Sequence, residues 1–158
     1  MPNTFTGEIA YVSGAGRGFG RAVAVRLAAG GASLVVTDLT DALVGGTVDA
    51  IRAAGGQAEG VSGDISDEAV SARIAALVGE RHGHLTIAIN NAGIAQPQMR
   101  LHETDSAVAQ KVVAVDLMGV FFAVPLYLQL VQGLDAFETG IKMLPVPVAM
   151  FITSMAGS

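Results

Sequence analysis

At 158 residues the chain suits one domain spanning 1–158, in which roughly 68–70% of the unfolded surface would be buried, and its 51% apolar and 15% charged content argues against disorder. A net charge of −5 without any run of Lys or Arg argues against a nucleic-acid partner or an anionic membrane surface. The absence of cysteine excludes disulfides, thiolate zinc sites and cysteine nucleophiles.

Met1 to Ser13 has no basic stretch followed by an apolar run, so no signal peptide is legible and a cytoplasmic location is expected by default. Glu8 to Ser13 is a short run suited to a strand covered on both faces. It leads into Ser13-Gly14-Ala15-Gly16-Arg17-Gly18-Phe19-Gly20, after which Val23 and Leu27, four apart, begin a helix. Glycines between a strand and a helix let the backbone turn sharply and approach a pyrophosphate, while the helix N-terminus favours the anion. The generic G-x-G-x-x-G spacing is not met, because position 19 is Phe, but G-x-x-x-G-x-G is, through Gly14, Gly18 and Gly20. An ordinary glycine-rich strand–helix turn is the bland alternative.

Ser33 to Asp38 is the second strand, and Asp38 ends it 18 residues after Gly20. There a dinucleotide fold places a carboxylate on the adenosine ribose hydroxyls. A 2′-phosphate would meet like charge at Asp38, so NAD is favoured over NADP. Arg17 pulls the other way, but Leu39 supplies no second cation. A turn or capping aspartate is the alternative.

Gln57 to Asp64, with two glycines, is a weaker strand. Ser66-Asp67-Glu68 starts a helix carrying Val70, Ile74, Leu77 and Arg81 at helical spacing. Leu85 to Asn90 and Val148 to Thr153 read as further strands, and Ala107 to Val124 as a long helix that Pro125 ends or kinks. Val112 to Val131 is nearly all apolar, yet Asp116, Pro125 and Gln129 argue for a buried or interface helix over a membrane span. His82, His84 and His102 read as surface residues and lack the H-E-x-x-H spacing, so no metal is expected. Strand–helix alternation implies an α/β, doubly wound parallel sheet of Rossmann type.

Four segments in order resemble the short-chain dehydrogenase/reductase family: Ser13 to Gly20 (with Ser for the family's Thr), Gly63-Asp64-Ile65-Ser66, Asn90-Asn91-Ala92-Gly93, and Ile152 to Gly157. The resemblance implies an oxidoreductase that transfers hydride between a nicotinamide cofactor and a small alcohol or ketone. It implies that Ser13, Gly14, Arg17, Gly18, Phe19 and Gly20 surround the pyrophosphate, with Asp38 and Leu39 at the adenine ribose. Asp64 and Ile65 would flank the adenine, Asn91, Ala92 and Gly93 would touch the ribose, and Ser154 would polarise the substrate oxygen. On its own, an amide at Asn90 or Asn91 equally suits a strand-ending turn. The 107–124 helix would offer a face for a homo-oligomer.

Two departures qualify that expectation. The family's Tyr-x-x-x-Lys pair is missing, since Tyr11 and Tyr127 are followed four positions on by Ala15 and Val131. Asp116 stands where the family has Asn, and an ionised Asp accepts hydrogen bonds but cannot donate them. The sequence therefore reads as a dinucleotide-binding portion cut short after its fifth strand and inactive by itself. That fifth strand, apolar on both faces, would need cover from more chain or a partner. A non-catalytic dinucleotide-binding or interaction module is the alternative.

Overall fold

The computed structural model describes residues 4–95 and 100–121. Four strands, β1 (Ile9–Ser13), β2 (Ser33–Asp38), β3 (Gln57–Ser62) and β4 (Ile87–Ile89), form one parallel sheet in the order β3-β2-β1-β4. Helices α1 (Gly18–Ala29), α2 (Asp41–Ala53) and α3 (Glu68–Arg81) connect them. After β4 come a 3₁₀ turn, Leu101–Glu103, and a helix, α4 (Ser106–Val113), which runs on into a π-helical turn, Ala114–Met118. The doubly wound parallel architecture expected from the strand–helix alternation is the one observed.

Side chains alternate across a strand, and here both faces are covered. Ala10, Val12, Leu34 and Val36 point to one side and pack with Ala24, Leu27, Val44, Val48 and Ile51 of α1 and α2. Tyr11 and Val35 point to the other and pack with Val70, Ile74 and Val78 of α3. The near-continuous apolar runs of β1 and β2 follow from this double cover. The sheet thus holds rigid the strand ends from which the site loops leave.

Three expectations need correction, and one element is new. Helix α2 is weakly marked by local propensity, since Gly45 and Gly46 disfavour a helix interior. Thr40 nevertheless caps it, accepting from the Leu43 amide, and Val44, Val48 and Ile51 bury one face. The fourth strand is three residues long rather than six. At its start the Thr86 hydroxyl accepts the Ile9 amide at 2.9 Å, replacing a ladder carbonyl. The 107–124 helix is not continuously α, since it widens into a π turn at Ala114, and residues 122–124 with Pro125 lie outside the described part. His82 is not a surface residue: its side chain is 15% exposed, with Nε2 3.4 Å from Glu59 Oε2. The strand expected at 148–153, and Ser154 with it, also lies outside the described residues.

No helix among the described residues is long and apolar enough to cross a membrane.

Candidate functional site

The C-terminal ends of the four strands open onto a cleft of about 210 Å³ lined from β1 by Gly14 and Arg17, and from β2 by Asp38 and Leu39. Gly63, Asp64 and Ile65 follow from β3, Asn91, Ala92, Gly93 and Ile94 from β4, and Lys111 and Val115 from the last helical segment. Ligands of open α/β sheets bind at this end, where strand order reverses between neighbours. Here β1 leads outward to β2 on one side, while β4 lies on the other.

The turn from β1 to α1 is shaped by its glycines. Gly14 and Gly18 have φ of +63° and +57°, a left-handed backbone that residues with a Cβ seldom adopt. A Cβ at Gly20 would sit 2.3 Å from the Gly14 carbonyl oxygen and 2.4 Å from Asn91 Nδ2, so α1 packs on the turn only because that atom is missing. At Gly18, in contrast, the space a Cβ would enter is open. Thr40, Asp67 and Asp105 cap α2, α3 and α4 with side-chain oxygens, whereas Arg17 gives α1 no such cap and no acid follows in its first turn. A helix N-terminus left in this state keeps amide donors and a positive dipole end for an anion. The residues present therefore fit a pyrophosphate on the observed backbone.

Asp38 lies across the turn from this helix end. Its Oδ2 accepts the Gly16 amide at 2.8 Å and its Oδ1 accepts the Leu39 amide at 2.8 Å. Two backbone donors hold the carboxylate in one orientation. Leu39 itself is 61% exposed at the cleft edge, and Phe19 is exposed beside the helix start.

Ser13 and Asn91 tie β1 to the segment after β4. The buried Ser13 hydroxyl accepts the amides of Asn91 and Ala92, each at 3.0 Å. The Asn91 side-chain amide donates to the carbonyls of Ser13 at 2.9 Å and Gly14 at 3.2 Å. Ser13 and Gly20 thus stand behind the cleft wall and set its shape. Of the residues expected at a cofactor, Gly14, Arg17, Asp38, Leu39, Asp64, Ile65, Asn91, Ala92 and Gly93 line the cleft directly. Ser13, Gly18, Phe19 and Gly20 do not.

On the far wall the Lys111 ammonium pairs with Asp64 Oδ2, and Asp64 Oδ1 accepts from the Ser66 amide at 2.9 Å and the Ser66 hydroxyl at 2.6 Å. Burial by itself would raise the Asp64 pKa. Hydrogen bonds from Lys111 and Ser66, with the Lys111 charge, outweigh it and bring the value down to about 2. Sequence reasoning assigned Lys111 no role at the site. The pair is 47 residues apart, and no local spacing reports it.

Asp116 sits in the π turn, a device often found at functional sites. Its Oδ1 accepts the Ile94 amide at 2.9 Å, holding the segment after β4 against the helix. That contact needs only an acceptor, which Asp supplies as well as Asn does.

The matches to known proteins agree with this geometry. The short chain dehydrogenase family model covers residues 8–136. The chain is 37% identical over 120 residues to the cis-4-hydroxycyclohexanecarboxylate dehydrogenase of Sinomonas cyclohexanicum, covering 76% of this chain and 48% of that protein. A short-chain dehydrogenase/reductase from Burkholderia phymatum, solved in complex with NAD, superposes with a TM-score of 0.76 at 35% identity, over 80% of this chain and 45% of that one. A metagenomic short-chain oxidoreductase, solved with NADP, gives 0.74 at 31% identity, over 78% and 56%. A parallel sheet with a glycine turn feeding an uncapped helix defines a dinucleotide-fold protein. Within that class, this chain belongs to the short-chain dehydrogenase family. It spans about half the length of the curated relatives it matches.

Proposed function

We propose that residues 1–158 form one NAD-binding domain, incomplete at its C-terminus, of an oxidoreductase acting on a small alcohol or ketone. The uncapped N-terminus of α1, next to the cleft that Gly14, Arg17 and Asp38 line, carries this reading. In it, the turn at Gly14, Arg17 and Gly18 and the first turn of α1, with Phe19, hold the pyrophosphate. Asp38 accepts the two adenosine ribose hydroxyls, with Leu39 alongside. Asp64 and Ile65 flank the adenine, while Asn91, Ala92 and Gly93 face the second ribose. Bound NAD supplies the hydride acceptor. The chain's own residues orient it and keep its phosphates neutralised.

The relative named a dehydrogenase and the neighbour holding NAD support this reading; the neighbour holding NADP leaves Asp38 as the reason to favour NAD. The 158 residues contain no Tyr-x-x-x-Lys. Tyr11 cannot take that part, because it is buried in β1 and burial pushes its phenol well above its ordinary pKa. Positioned acid–base groups contribute about 10²–10⁴-fold in rate. We therefore propose that this chain alone binds NAD without useful turnover.

Thermal melts test the binding. NAD at a hundred times its Kd should add about 2.7 kcal/mol, or roughly 5–11 °C in Tm for a domain of this size. Asp38→Ala removes charge-assisted hydrogen bonds worth about 1.5–3 kcal/mol and should weaken NAD about 10- to 150-fold. Gly18→Val puts a β-branched residue at positive φ in the pyrophosphate turn and should remove the shift. A melting curve that NAD does not move would reject the proposal.

A further inference from the structure

Gly14 and Gly18 have a conformational reason to be glycine, but Gly16 does not, since it lies outside the set with positive φ. Its reason is space. A Cβ at Gly16 would stand 2.6 Å from Leu43 Cβ, 2.9 Å from Asp38 Oδ2 and 3.0 Å from Asp38 Cγ. Leu43 Cβ is fixed by α2, whose first turn is pinned where the Leu43 amide meets the Thr40 hydroxyl. Relief of that contact requires the turn at position 16 to move off α2, which shifts its amide and the carboxylate relative to one another. At the same time the Gly16 amide is one of the two donors that orient that carboxylate.

We propose that Gly16 is a specificity-determining residue that works as a unit with Asp38 in choosing NAD over NADP. The inference rests on the reading of the cleft as an NAD site. A carboxylate has about four acceptor positions. The Gly16 and Leu39 amides take one on each oxygen, which leaves one on each for the two hydroxyls of a ribose diol. The Gly16 amide is thereby committed to Asp38 and is not offered to a 2′-phosphate. A side chain at position 16 displaces the carboxylate from this orientation, so the diol loses its matched acceptors and the phosphate loses its opposing charge.

The test is a calorimetric cycle on the 158-residue chain, with NAD and NADP titrated into wild type, Gly16→Ala, Asp38→Ala and the double variant. Gly16→Ala should lower the NAD-to-NADP preference at least about tenfold, because two charge-assisted contacts are misaligned. The double variant should fall no more than about twofold below the weaker single one, as expected of residues acting together. A folded Gly16→Ala that keeps the wild-type preference while Asp38→Ala loses it overturns the role of Gly16 and leaves the NAD site standing. A wild type that binds neither nucleotide removes both. Should Gly16→Ala not fold, hydrogen exchange of the Gly16 amide in the wild type decides: protection by NAD but not by NADP supports the unit, and equal protection or none refutes it.

Discussion

The two ends of the sheet treat their polar groups in opposite ways. At the N-terminal end they turn towards one another: the Ser33 hydroxyl meets Gln57 Oε1 at 3.2 Å, Arg52 Nε donates to the Ala58 carbonyl at 2.9 Å, and His82 and Arg81 both face Glu59, although Glu59 Oε2 and His82 Nε2 make no hydrogen bond among the described residues. At the C-terminal end the backbone turns sharply, α1 is left uncapped, and Asp38 is held by amides with acceptor positions to spare. Groups turned towards one another offer a ligand little. Groups on the same strands with donors and acceptors to spare offer it partners.

That contrast can be broken most strongly at Gly20. Gly20→Val pushes atoms into the Gly14 carbonyl and Asn91 Nδ2, and overpacking of this kind costs about 3 kcal/mol. Chemical denaturation should show the loss together with loss of NAD binding, since the turn itself must move. A folded variant of wild-type stability would mean that the turn is looser than it looks.

Acid offers a second probe on the cleft wall. Asp64 has its pKa lowered from 3.8 to about 2, so its contribution to stability is present above the ordinary value and is lost as pH falls from 3.8 towards 2. Lys111→Met removes the charge and hydrogen bond that depress it. The fall in Tm across that interval should therefore be shallower in the variant than in wild type. Equal slopes would show that the pair does not hold.

The smallest effect is expected at the opposite end. His82→Gln weakens a single pair with Glu59 and should cost about 1 kcal/mol or less. The affinity for NAD should stay within about twofold of wild type. A larger change in affinity would mean that the two ends are coupled.

The strands and the glycine turn were legible in the sequence because they depend on local pattern. Val-rich runs mark doubly covered strands, and glycines mark a sharp turn before a helix. Helix α2 was hidden by Gly45 and Gly46, although its cap at Thr40 and the spacing of Val44, Val48 and Ile51 were available. What the sequence could not display were contacts between distant residues. The Lys111–Asp64 pair joins α4 to the segment after β3, while the Ser13 hydroxyl shared by Asn91 and Ala92 and the seat of Asp38 on Gly16 arise where the ends of different strands meet. Asp116 is instructive in another way: a departure from the family's Asn, read as a lost donor, serves in the structure as an acceptor for Ile94.

Isothermal titration of the folded chain tests the central claim most directly. Heat of binding with NAD, stronger than with NADP and reduced at least about tenfold by Asp38→Ala, is what an amide-lined turn opposite a fixed carboxylate predicts. No heat with either nucleotide would contradict it.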